Sequence, residues 1–103
     1  MKIFHVSARE DGKRGRFKYL GYDTYSDFVV VCETEDQARN IHPSGRLDEW
    51  ERIPETKEDL KYGTYLNSWI RRSDIPFLTV VEIGTSVPGI ASGTIICSSY
   101  HAG

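Results

Sequence analysis

Phe28-Val29-Val30-Val31-Cys32 is apolar at five successive positions, so an extended chain here is apolar on both faces. That marks a central strand of a sheet. Upstream, residues 2–8 alternate: Ile3, His5 and Ser7 fall on one face and Phe4, Val6 and Ala8 on the other. This predicts a strand with one dry face. Between the two, residues 9–21 carry Gly12, Gly15 and Gly21 among charges, which reads as a mobile, hairpin-like excursion. Downstream, Thr34-Glu35-Asp36-Gln37 has the capping-box spacing of a helix start. A short helix runs on through Ala38, Arg39 and Ile41 and is stopped by Pro43, Ser44 and Gly45.

Residues 77–83 form a third strand ended by Gly84, and residues 94–99 a fourth, with Ser86-Val87-Pro88-Gly89 turning the chain between them. Residues 46–75 resist assignment. Helical fragments fit around 47–52 and 65–72, separated by Pro54 and Gly63. The expected fold is therefore a single α+β domain over residues 1–103, in the order β-β-α-β-β. It has one small mixed or antiparallel four-stranded sheet, one short helix and an irregular, partly helical insertion. A helix between Val31 and Leu78 allows a crossover that sets those strands parallel. Three strands are apolar on both sides, yet only about three turns of helix are there to cover them. Apolar patches of more than a few hundred Å² are unusual on monomers, so a homo-oligomer is expected, with a sheet face or strand edge between subunits. The competing expectation is that residues 46–75 fold back over that face.

The chain has 103 residues and a net charge of −2, which fits one domain and argues against bulk nucleic-acid binding. No apolar run approaches a membrane span, and the N-terminal residues have no signal-peptide pattern. Cys32 and Cys97 lack the spacing of a disulfide scaffold or a zinc site, and a reducing cytosol is the expected compartment. Charge is uneven: Arg9, Lys13, Arg14, Arg16 and Lys18 outweigh Glu10 and Asp11, whereas residues 46–61 are acidic. One basic loop on a near-neutral protein suits a compact anionic ligand better than a long polyanion.

Motifs for nucleophilic, metalloprotease or P-loop chemistry are absent, so no catalytic residue, metal or cofactor is assigned. His5 alternates with Ile3 on a strand face and reads as a packed or edge histidine. His42 lies at a helix end, where a positive charge would favour the carbonyl dipole. His101, beside Tyr100, fits a ligand contact or acid–base role. Tyr22 and Tyr25 stand among Arg16, Lys18 and Asp23, and Tyr62, Tyr65 and Trp69 precede Arg71 and Arg72. Aromatic faces stack on bases, arginines bind phosphate, and a carboxylate such as Asp23 accepts from ribose hydroxyls. The same tyrosines also suit packing over a sheet edge, and Trp69 also suits the core.

The segments Tyr22-Asp23-x-Tyr25, Ala38-Arg39-x-Ile41-His42-Pro43, Trp69-Ile70, Val80-x-x-Ile83-Gly84 and the tail Ser99-Tyr100-His101-Ala102-Gly103 occur in one order. In this the chain resembles a group of small bacteriophage accessory proteins. His101 stands where that pattern has Asn, and residues 9–18 and 46–66 are longer than its usual connections. The resemblance implies an early-type phage protein in the cytoplasm of an infected bacterium. By analogy it implies an antagonist of host defence, one class of which sequesters the cyclic or ADP-ribose-derived nucleotides of CBASS and Thoeris systems.

The resulting expectation is a nucleotide-sequestering protein with pockets at subunit interfaces. Tyr22, Tyr25, Trp69 or Tyr100 would stack on the base. Arg39 with Arg14 or Arg16 would neutralise phosphate, and Asp23, His42, Ser99 and His101 would contact ribose or base. The alternatives are a phage enzyme that cleaves the nucleotide with His101 or His42, an anti-CRISPR-like inhibitor that contacts a host defence protein through residues 46–61, and a structural or regulatory phage protein with no pocket.

Overall fold

A computed structural model describes residues 1–8, 17, 24–45, 69–70 and 72–101, with backbone alone for Arg72, Ser73 and His101. The described elements are β1 (Lys2–Ser7), β2 (Thr24–Cys32), α1 (Glu35–Arg39), a 3₁₀ turn (Arg72–Phe77), β3 (Thr79–Thr85) and β4 (Thr94–His101). They form a four-stranded sheet in the order β3-β1-β2-β4 with every neighbouring pair antiparallel. Strands β2 and β3 both oppose β1, so they run in the same direction. They do not pair with each other, because β1 lies between them. The parallel relation that the sequence allows is thus present without a parallel ladder.

Alternation sets the core. Phe4 and Val6 of β1 stand opposite Val30 and Phe28 of β2, and all four side chains are buried on one face. Ala8, Cys32, Ala38, Leu78 and Ile70 extend that layer. Trp69 closes it edge-on to Phe28, with ring centroids 5.8 Å apart. Phe17, 0% exposed, belongs to the same cluster. It anchors the glycine-rich segment in the core; the rest of residues 9–21 lies outside the described residues. The same is true of the helical fragments expected around 47–52 and over most of 65–72.

The helix start is as its residues dictate. Thr34 Oγ1 accepts from the N–H of Gln37 at 3.2 Å, and Gln37 Oε1 accepts from the N–H of Glu33 at 2.9 Å. The return bond of the capping box therefore lands one residue before the cap. At the other end Asn40 Nδ2 donates to the carbonyl of Asp36. Strand ends differ from expectation for local reasons. Phe77 belongs to the 3₁₀ turn with Pro76, whose missing N–H suits a turn better than a ladder, so β3 begins at Thr79. β2 starts earlier, at Thr24, and β4 continues to His101 because the two pair across that end. Gly93, at φ +89, gives its N–H to the carbonyl of Val31 at 2.7 Å and turns the chain into β4. Among the described residues no helix is long and apolar enough to cross a membrane.

Exposure of large apolar groups is concentrated on the edge strands. Val81 and Ile83 of β3 and Ile96 and Tyr100 of β4 are all about half exposed, whereas Val30 and Val31 of β2 are fully buried.

Candidate functional site

At the β2–β4 end of the sheet an irregularity gathers polar and aromatic side chains. Tyr25 pairs with Tyr100 and Asp27 with Ser99, which leaves Ser26 as the extra residue of a bulge. The bulge lets Tyr25 pack against the core cluster. Its ring stands 5.0 Å from Tyr100 at 65° and 5.9 Å from His42 at 87°, both edge-to-face. Tyr25 is half-buried and His42 buried, whereas Tyr100 is 48% exposed. The outer ring of this trio is thus open to a ligand. The N–H of Ser44 donates to His42 Nδ1 at 3.1 Å, so Nδ1 is an acceptor and the neutral ring carries its proton on Nε2. Ser44 Oγ lies 2.8 Å from the same nitrogen. Burial and these contacts give His42 a positioning role behind Tyr25.

Asp27 faces the other side of the sheet, with His5 and Ser99. Its Oδ2 meets His5 Nε2 at 2.8 Å and its Oδ1 accepts from Ser26 Oγ at 2.9 Å. Burial pushes the carboxyl upward, but hydrogen bonds from His5, Ser26 and Ser99 and the imidazole charge outweigh it and hold the group below its ordinary value. Neither His5 nor Asp27 is among the expected ligand contacts. The signal for His5 was its alternation with Ile3 and Ser7. The partner, 22 positions away, becomes visible only once Ser7 is seen to pair with Asp27.

Two expected contacts have other partners in the fold. Trp69 is 1% exposed and packed on Phe28, so it belongs to the core and offers no stacking face. Arg39 does not wait for phosphate: Nη1 donates to the carbonyls of Leu78 and Pro76, and Nη2 lies 3.5 Å from Glu35. These bonds strap α1 to the start of β3. An open depression beside the strap is lined by Glu35, Asp36, Arg39, Asn40, Ile75 and Pro76, an acidic rim that suits an anion poorly. Ser99 is exposed on β4 beside Asp27, and the backbone of His101 pairs with Thr24. Arg14, Arg16, Tyr22 and Asp23 lie outside the described residues.

Both cysteines are free thiols; Cys32 is buried, which pushes its thiol upward, and Cys97 is exposed. Among the described residues no group of three or more His, Cys, Asp or Glu side chains could hold a metal ion. Comparison with protein-family models, curated proteins and solved structures finds no match to this chain.

Proposed function

We propose that this chain is a binding protein of phage origin that holds a nucleotide-class immune signal at the β2–β4 end of its sheet, at a subunit interface. The observation that carries the reading is the Tyr25–Tyr100 pair, an aromatic step whose outer ring is half exposed and whose inner ring is braced by His42. Such a ring stacks on any base, because every base has a π-face. Ser99 and the Asp27 carboxylate, next along the strands, face the other side of the sheet and stand apart from this ring. Phosphate neutralisation falls to the basic segment around Arg14 and Arg16, since Arg39 is committed to backbone carbonyls. The anti-defence role and the host-cytoplasm setting come from the resemblance to phage accessory proteins.

Sequestration requires affinity and no turnover, which agrees with a site built from tyrosines and a fixed imidazole. The test is thermal melting of the protein against cyclic dinucleotides and ADP-ribose derivatives, followed by mass spectrometry of each mixture. Binding to the native state alone stabilises by about 2.7 kcal/mol at 100 times the dissociation constant. A rise in melting temperature with the nucleotide recovered intact, abolished by Tyr100→Ala, is the expected result. Cleaved nucleotide would replace sequestration by catalysis, and no shift across the panel would overturn nucleotide binding.

A further inference from the structure

We propose that β4 is the seam for a second copy of this chain, paired edge to edge and antiparallel, and that the second copy brings its own Tyr100 to complete the aromatic site. The seam rests on the reading that Tyr25 and Tyr100 form that site. Among the described residues strand β4 is an edge of the sheet, and its eight residues, Thr94-Ile95-Ile96-Cys97-Ser98-Ser99-Tyr100-His101, include no Lys, Arg, Asp, Glu or Pro. Natural edge strands are normally guarded by such residues, because an unguarded row of N–H and C=O groups recruits another strand. The opposite edge, β3, does carry a charge: Glu82, 3.8 Å from Lys2. On β4 the side chains from Ile96 to Tyr100 are all exposed.

The absence of charge is what suits this edge to its own copy. A two-fold axis sets the residues near it beside their own copies, so a charge there would face its like. The axis can also be placed. The ladder to β2 shifts register twice, at Ile96 on β4 and at Ser26 on β2, so Cys97 to His101 is the stretch of β4 that itself carries no extra residue. Residues directly opposite in an antiparallel pair share a face, so the axis passes through a residue and not between two. The middle of that stretch is Ser99. That register sets Ser98 opposite Tyr100 of the second copy and makes the two Tyr100 rings diagonal neighbours, roughly 7–8 Å apart, within reach for aromatic groups. With Tyr25 already 5.0 Å from Tyr100, the result is a continuous row of four tyrosines across the axis.

The test is sedimentation of the full chain from about 1 to 100 µM, a range spanning the weak association expected of a small interface. The expected result is twice the chain mass at the upper end, at least a tenfold weaker association in Ser98→Lys, and an unchanged melting curve for that variant at the lowest concentration. Ser99→Cys in a Cys97→Ser background is expected to form a dimer-sized disulfide on mild oxidation, whereas Val81→Cys in the same background does not. A monomer throughout, or a dimer that tolerates Ser98→Lys and resists the Ser99→Cys cross-link, would overturn the seam. A dimer that cross-links at position 99 but binds no nucleotide of the panel would leave the seam standing and remove the nucleotide reading.

Discussion

Asp27 concentrates the electrostatics of the sheet face that carries His5 and Ser99. Its carboxyl is held below the ordinary value of 3.8 in the folded state, so the ionised form is stabilised by folding. That contribution is fully present above the unfolded value and is lost as pH falls through the folded one. Asp27→Asn is therefore expected to lower stability near neutrality, with a gap from the parent that narrows below about pH 4. Urea unfolding of both proteins from pH 7 to pH 2 checks this, and a gap independent of pH would contradict it. Arg39 is expected to act through the strap it forms. Arg39→Ala removes hydrogen bonds from a charged donor to the carbonyls of Leu78 and Pro76, an effect of about 1.5–3 kcal/mol in total stability. Nucleotide affinity measured on the folded fraction should stay unchanged. A loss of affinity without a loss of stability would return Arg39 to the phosphate role that its sequence position suggests.

Helix α1 is five residues long, far below what is stable alone, and it exists because Thr34 caps it and Ala38 is buried beneath it. Thr34→Ala is expected to cost about 1 kcal/mol, and Thr34→Ser much less, read as a shift of the urea midpoint at constant slope. This element was legible because its signals are local: the cap, Gln37 three residues on and Pro43 all act within one turn. β1 and the apolar half of β2 were legible for the same reason, since alternation and two-sided apolarity are properties of neighbouring residues. The ends of β2 and β4 were not. Thr24 and Tyr25 are strand because they pair with residues about 75 positions away, a fact that local pattern does not encode. The site was legible in part. Tyr25, His42 and Tyr100 stand together, but Ser99 faces the other side of the sheet beside Asp27, the His5–Asp27 contact depends on strand register, and Trp69 looks the same in sequence whether it lines a pocket or fills the core.

At the scale of the whole molecule, small domains bury little surface, and the placement of each large side chain counts. Trp69 and Phe17, both at or below 1% exposure, join the sheet core from the two segments that carry the fewest pattern signals. Their burial ties positions 17 and 69 to the sheet core. Phe17→Ala and Trp69→Ala should each cost about 3–5 kcal/mol, a large share of the 5–15 kcal/mol that holds such a domain folded. Tyr100→Ala, which removes a ring already half in water, should cost much less. Chemical unfolding of the three variants at one low protein concentration ranks them, with nucleotide binding measured on those that remain folded. The expected order separates structure from function: the two core changes reduce stability and leave the site of any surviving folded molecules competent, whereas Tyr100→Ala leaves stability and removes binding. If Trp69→Ala were as mild as Tyr100→Ala, the core assignment of Trp69 would fail, and its ring would again be a candidate for the ligand.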